Sequence, residues 1–209
     1  MILPLGEYPF LMSKGNQILS SMKVALKPQG FTLSGTTFHR VNDAQLVEVI
    51  NLQAGLSRLA GKSAVNLGIY IPEVHLLLGK SSTLEEARAN VTPRETECMV
   101  RQRLSTLIFG KDIWYDHCDP VADLTVSGLL LNHTLPWFGR LGSLQAIAAE
   151  LKRGSRPLLA SWGYHAAILK AAGDTAGAHL FLAQLRDVNP INVKVFASSI
   201  GIEMTGGCK

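Results

Sequence analysis

Apolar residues near the start of the chain recur at the spacing of an α-helix. Between residues 14 and 27 they fall three or four positions apart, at Ile18, Leu19, Met22, Ala25 and Leu26. This spacing places them on one face of a helix. Pro28 and Gly30 follow directly, and both residue types end helices. The pattern therefore predicts one amphipathic helix over residues 14–27.

The period then changes to that of β-strands. Residues 30–41 read as two extended pieces around Ser34 and Gly35, which is a hairpin signal. Residues 45–53 are apolar on both faces at their start, which is typical of a central strand that is covered on both sides. Residues 65–71 alternate apolar with polar or small side chains, and Pro72 ends the strand because it has no N–H to donate.

A fourth extended segment, residues 97–104, alternates apolar and charged side chains. The alternation predicts one side formed by Cys98, Val100 and Leu104. It predicts an opposite side formed by Glu97, Arg101 and Arg103. The two arginines would then project from the same face of the strand, about 7 Å apart.

Helical periods return in the second half of the chain. Asp119 and Pro120 read as a helix start, because aspartate caps helices and proline has no N–H to leave unpaired. This helix is predicted to bend at Pro136, and residues 143–152 form the next one. Residues 157–186 read as a helical hairpin, and Asn189 and Pro190 open a last short helix.

The order of these elements indicates an α+β fold. A run of strands followed by a run of helices is typical of an antiparallel sheet with helices on one face. We expect an N-terminal helix, an antiparallel sheet of about four to five strands, and a helical C-terminal part. The predicted division is an α+β domain over residues 1–152, with a hairpin and short helix over residues 157–201 packed on it.

Composition and charge narrow the class of protein. The chain of 209 residues is 47% hydrophobic and 17% charged, which suits a chain that buries a sizeable core. Its net charge of +4 is spread along the sequence, so no nucleic-acid surface is predicted. Three cysteines without regular spacing favour a reducing compartment. Without a typical signal peptide or an apolar run of about 20 residues, we expect a cytoplasmic protein with no membrane partner.

Polar side chains on neighbouring strands form the main candidate site. If the strands pair in register, they line one surface with amide donors and two cations, and Trp114 is a candidate anchor beside them. The candidate binding residues are Arg101, Arg103, Asn66, Tyr70, Asn51, Gln53 and Trp114. Such a surface suits a carboxylate, a phosphate or an acidic loop of a partner. The alternative is an ordinary solvated sheet face on which Glu97 offsets the arginines.

Other motifs give weaker indications of a function. Gly-Lys-Ser occurs at residues 61–63 and again at residues 79–81. A phosphate loop needs a further glycine five residues earlier, but the chain has Leu56 and Val74 at those positions. His117, Cys118 and Asp119 are adjacent, so their side chains diverge, whereas zinc ligands normally come in spaced pairs. A loop with a helix cap is the simpler interpretation, and a metal-dependent hydrolase is the alternative. We expect no catalytic residues, no metal and no cofactor.

Five blocks of sequence, in order, resemble a bacterial family known as domain of unknown function 4304. They are ALKPQGFTLSGTTFHR, VEVINLQ, VNLGIYIPE, CMVRQRL and DIWY. The resemblance covers roughly residues 14–152, and it implies a fold without implying an activity or any catalytic residue. Residues 157–186 also resemble one helix pair of the tetratricopeptide type, and a single pair does not form a superhelical array.

Two functions follow as hypotheses. The first is a non-catalytic protein-binding module, for example an immunity-type neutraliser of a bacterial toxin. The alternative is a binder of, or an enzyme acting on, a small anionic or phosphorylated ligand held by Arg101 and Arg103. The sequence does not predict the oligomeric state.

Overall fold

The computed structural model describes residues 14–153, 162–186 and 190–204. Helix α1 (Lys14–Leu26) buries its apolar stripe. A 3-10 turn over Lys27–Gln29 follows and is capped by Gly30, whose φ of 84° suits a residue without a Cβ. The strands β1 (Thr32–Ser34) and β2 (Thr37–Val41) form the predicted hairpin, followed by β3 (Val47–Ala54) and β4 (Lys62–Tyr70). These elements lie where the hydrophobic pattern predicts them.

The strands form one antiparallel sheet in the order β1-β2-β3-β4-β5, with β5 at Val100–Arg103. A short strand, β6 (Tyr115–Asp116), also pairs with β4, at residues Lys62 and Ser63. Between β4 and β5 lie α2 (Pro72–Leu77) and α3 (Leu84–Ala89), and α4 (Leu104–Phe109) follows β5 directly. The predicted α+β class and antiparallel sheet are confirmed.

Buried hydrophobic residues lie on both sides of this sheet. Ile50 of β3 and Leu67 of β4 are directly paired and fully buried, and they belong to one hydrophobic cluster with Met22 of α1. The same cluster takes in α5 (Ala122–Leu129), α6 (Leu135–Arg140) and α7 (Leu144–Lys152). The N-terminal and central helices therefore cover the apolar sheet face, which carries Ile50 and Leu67. The opposite face carries the polar residues of the strands together with Val47, Val49 and Tyr70, which are also buried.

Three helices complete the described chain. They are α8 (Trp162–Ala171), α9 (Thr175–Arg186) and α10 (Pro190–Ser199). Helix α8 packs on α2 and α7, α9 packs on α8, and α10 packs on α9. Residues 157–161 of the predicted hairpin and Asn189 lie outside the described residues.

The fourth predicted strand is shorter than its alternating pattern. Cys98 ends a 3-10 turn over Glu95–Glu97, and Leu104 is the first residue of α4. The prediction that Cys98 and Leu104 share a strand face with Val100 is therefore wrong. The alternation of apolar and charged residues extends beyond both ends of the strand. Short alternations of this kind also arise by chance in turns.

The predicted helix start at Asp119 is also wrong. Asp119 Oδ1 accepts a hydrogen bond from the N–H of Val121 at 3.0 Å, and α5 begins at Ala122. Asp119 therefore closes a turn just before the helix. An aspartate side chain is as well suited to such a turn as it is to a helix cap. The bend predicted at Pro136 lies next to a π-helical segment, Leu130–Thr134, between α5 and α6.

Candidate functional site

Strand register brings the predicted polar residues onto one face of the sheet. Asn51 of β3 lies opposite Asn66 of β4, which lies opposite Arg103 of β5. Gly68, two positions along β4, lies opposite Arg101. Directly opposed residues share a face, so both guanidinium groups project from the same side of the sheet. Alternation adds Gln53 and Tyr70 to that face.

Residues 87–98 cover one half of this face. The Tyr70 hydroxyl donates to the Ala87 carbonyl at 3.2 Å, and the ring of His39 contacts the Pro93 carbonyl through Nε2 at 3.0 Å. Cys98 packs over Gly68, where an added Cβ would lie 2.6 Å from Cys98 Sγ. The prediction of Tyr70 as a surface binding residue is therefore wrong, because the chain folds back over this half and Tyr70 is fully buried.

Arg101 lies at the border of the covered half and is already paired. Its Nε and Nη2 donate to the two carboxylate oxygens of Glu95 at 2.6 and 2.8 Å. This two-point hydrogen bonding raises the pKa of Arg101 above its usual value. The prediction that Glu97 offsets the arginines is wrong, since Glu97 Oε2 instead accepts from the N–H of Arg94 at 2.7 Å.

The other half of the face is open and is lined by side-chain amides. Asn51 Nδ2 donates to Thr37 Oγ1 at 2.9 Å, and Asn66 Nδ2 donates to Gln53 Oε1 at 3.0 Å. Arg103 reaches the same Gln53 oxygen at 3.3 Å. These bonds hold the amide groups in fixed positions on a solvated surface. We call this surface the open polar face; its residues are Thr37, Asn51, Gln53, Asn66, Arg103 and Trp114.

Trp114 lies beside Arg103, as expected for an anchor near the arginine strand. The guanidinium carbon lies 5.0 Å from the centre of the indole ring, a cation–π distance. Asp112 bridges the two side chains, accepting from Trp114 Nε1 and pairing with Arg103 Nε, both at 3.3 Å. Asp112 is not among the predicted site residues, although its position two residues before the tryptophan is a usable signal.

A second polar contact joins β4 to the loop after β6. Ser63 Oγ and His117 Nε2 are 2.7 Å apart, a pair that the sequence pattern does not predict. Ser63 is only 2% exposed, so its hydroxyl is not accessible to a substrate. Asp116 Oδ1 accepts from the N–H of Cys118 at 2.8 Å, which orders the loop.

The described residues show neither a candidate metal cluster nor a candidate membrane-spanning helix. They contain no group of three or more histidine, cysteine, aspartate or glutamate side chains placed to hold a metal ion. Among the described helices, none combines the length and the hydropathy needed to cross a membrane.

Comparison with known proteins gives one match. A family model described as Domain of unknown function (DUF4304) matches residues 22–140, more than half of the 209 residues. The matched segment contains the whole sheet and every residue of the open polar face. No curated protein and no solved structure matches the chain.

Proposed function

Because the chain belongs to the DUF4304 family, whose description gives no activity, we propose a function from the geometry: a non-catalytic module that binds a protein partner through the open polar face. The observation that carries this proposal is Arg103 held against Trp114 beside a row of fixed amide groups. Arginine and tryptophan contribute strongly to protein interfaces. Side chains that are already ordered lose less entropy when a partner binds.

Charge on this face favours a protein partner over a small anion. Each arginine already faces a carboxylate of the chain itself, Arg101 with Glu95 and Arg103 with Asp112. A free anion would have to displace those carboxylates, whereas the amide groups of Asn51 and Asn66 offer both donors and acceptors. A polar loop of a partner satisfies such groups without carrying net charge. A more specific version of this proposal is that the partner is a toxin, which the chain neutralises. This version rests on analogy with other small neutralising proteins that lack catalytic motifs.

The direct test measures binding of the full chain to the protein encoded beside its gene, by calorimetry. Arg103→Ala and Trp114→Ala are each expected to weaken binding by about tenfold or more, because central arginine and tryptophan residues dominate interfaces. Arg58→Ala is the matched control, since Arg58 is exposed and lies outside the open polar face. Equal affinities for all three variants and the wild type would refute the proposal.

A thermal-shift series tests the small-ligand alternative. Inorganic phosphate, carboxylates and nucleotides are added to the wild type and to the Arg101→Ala, Arg103→Ala double variant. A protein-binding module is expected to show no anion-dependent rise in melting temperature. A rise that the double variant loses would support an anionic ligand instead.

A further inference from the structure

Strand β1 lies at an edge of the sheet and is exposed along its length. It pairs with β2 alone in the described sheet, and Thr32, Leu33 and Ser34 are all exposed. An edge strand has backbone N–H and C=O groups that can pair with an added strand. Its location, at the opposite end of the strand order from β5, separates it from Arg103 of the open polar face.

The hairpin turn fixes which backbone groups of β1 point outward. Gly35, with φ of 61°, and Thr36 form a two-residue turn closed by Ser34 and Thr37. Those flanking residues form a hydrogen-bonded pair, so Leu33, opposite Phe38, takes a non-hydrogen-bonded position. The hydrogen bond from the N–H of Leu52, in β3, to the carbonyl of Thr36 leads independently to the same alternation of hydrogen-bonded and non-hydrogen-bonded positions along β2. The N–H and C=O of Leu33 therefore point away from β2, towards the open edge.

A groove runs between this edge and α1. It has a volume of about 340 Å³ and is lined by Phe31, Leu33 and Phe38 on the sheet side and by Lys23 and Lys27 on the helix side. Leu33 remains 36% exposed, so an apolar side chain placed next to it would bury surface that is now in water. A strand added to β1 would direct alternate side chains towards this groove.

The charge along the groove is positive. Lys23 and Lys27 are both exposed, and neither pairs with a carboxylate among the residues that the structure describes. Residues 14–41 contain no aspartate or glutamate at all. The two lysines are one helical turn apart, about 6 Å, close to the roughly 7 Å between alternate residues of a strand.

We propose that β1 binds an extended acidic segment of a partner protein, which adds to the sheet as a further strand. Backbone bonds form with the N–H and C=O of Leu33, a central apolar side chain enters the groove, and flanking carboxylates meet Lys23 and Lys27. This is strand addition, in which main-chain bonds give affinity and side-chain pockets give selectivity. The site is independent of the open polar face, because Leu33 and Phe38 lie on the apolar face of the sheet.

The experiment titrates a short synthetic peptide into the isotopically labelled full chain and follows backbone amide signals by NMR. The peptide has isoleucine at its centre, glutamate at the alternate positions on either side, and threonine between them. We expect saturable shifts centred on the amide of Leu33. A peptide with lysine in place of glutamate is the matched control and is expected not to bind.

Two sets of variants assign the contacts. Leu33→Pro removes the outward N–H while leaving the bonds to β2 intact, so it is expected to abolish peptide binding in a folded chain. Lys23→Glu with Lys27→Glu, which leaves the backbone untouched, is expected to weaken binding by about tenfold. Lys111→Glu, at an exposed position away from the groove, and Arg103→Ala are expected to leave it unchanged.

Three outcomes would overturn the proposal. The first is equal binding of the acidic and basic peptides, and the second is an unchanged affinity in the double lysine variant. The third is self-association of the peptide-free chain that Leu33→Pro removes, measured by sedimentation, because it would assign the edge to a second copy. If Leu33→Pro does not fold, the double lysine variant decides the result.

Discussion

Gly68 shows how one missing side chain allows the sheet to be covered. An alanine Cβ at this position would lie 2.6 Å from Cys98 Sγ and 2.8 Å from Cys98 Cβ, both too short for a contact. Glycine inside a strand often marks the close approach of another segment. The segment that carries Cys98 can therefore pack directly on β4, and it buries Tyr70 and His39 nearby.

We predict that Gly68→Ala destabilises the chain by about 1–3 kcal/mol, because the added methyl overpacks a buried contact. Gly128→Ala is the matched control, since Gly128 lies within α5 with no atom near its Cβ position. Removing a helix glycine there is expected to stabilise the chain by about 0.5–1 kcal/mol. Urea unfolding of both variants checks the prediction, and a Gly68→Ala variant as stable as the wild type would contradict it.

Tyr70 tests the division of the polar sheet face into covered and open halves. Tyr70→Phe removes the bond from its hydroxyl to the Ala87 carbonyl, so we expect a loss of about 0.5–1.5 kcal/mol in unfolding free energy. Partner binding through the open polar face should be unchanged, because the hydroxyl is buried. Asn66→Ala is the comparison, expected to reduce binding more than stability. A binding defect in Tyr70→Phe at full stability would place this residue in the site after all.

At the scale of elements, helix termini fix where the chain turns. Ser143 stands in an extended conformation, and its Oγ accepts from the N–H of Ala146 at 3.1 Å, which caps α7. Ser143→Ala should lower the unfolding free energy by about 1 kcal/mol, because one helix N–H loses its partner. Ser143→Asp keeps an acceptor and should retain stability. Equal melting curves for Ser143→Ala and Ser143→Asp would argue against the cap.

The helical region around Pro136 shows a limit of pattern reading. Periodicity predicts one bent helix, and the structure has one uninterrupted helical run in which a π-helical segment over Leu130–Thr134 separates α5 from α6. Proline has no N–H and its ring crowds the preceding turn, so the backbone bonds must rearrange there. Apolar spacing gives the overall helix, but the hydrogen-bond pattern depends on how the helix packs against its neighbours.

At the scale of the whole molecule, three histidines that are buried or partly buried make stability depend on pH. Burial lowers the pKa of His39, His75 and His165 below the ordinary value of 6.5. The folded chain thus favours neutral imidazole, whereas the unfolded chain takes up protons near pH 6.5. The stabilising contribution is fully present above that pH and decreases as the pH falls towards the folded pKa values.

We therefore predict that the unfolding free energy is steady near pH 8 and falls from about pH 6.5 downwards. His39→Gln should make this decrease smaller, because glutamine can donate to the Pro93 carbonyl and does not titrate. His179→Gln is the control, since His179 is less buried than His39. Denaturant unfolding at a series of pH values tests both variants, and stability that rises on acidification in this range would contradict the prediction.

The sequence by itself determined the elements whose signals are local. The stripe from Ile18 to Leu26 predicts α1, and Ser34 and Gly35 predict the hairpin. A segment that is apolar on both faces predicts β3, and alternation predicts β4. From these follows the α+β class, whereas the face shared by Asn51, Asn66 and Arg103 depended on the register in which the strands pair. Such signals succeed because helix and strand periods, glycine and proline act within a few residues.

Only the tertiary structure decided which part of that face is open. Asn66 and Tyr70 are both on the same side of β4, and nothing local distinguishes them, yet one is accessible and the other is covered by residues 87–98. The choice of Glu95 over Glu97 as the partner of Arg101 likewise depends on a 3-10 turn. Both outcomes depend on how a distant segment packs on the sheet, and packing free energy is a property of the assembled chain rather than of a local period.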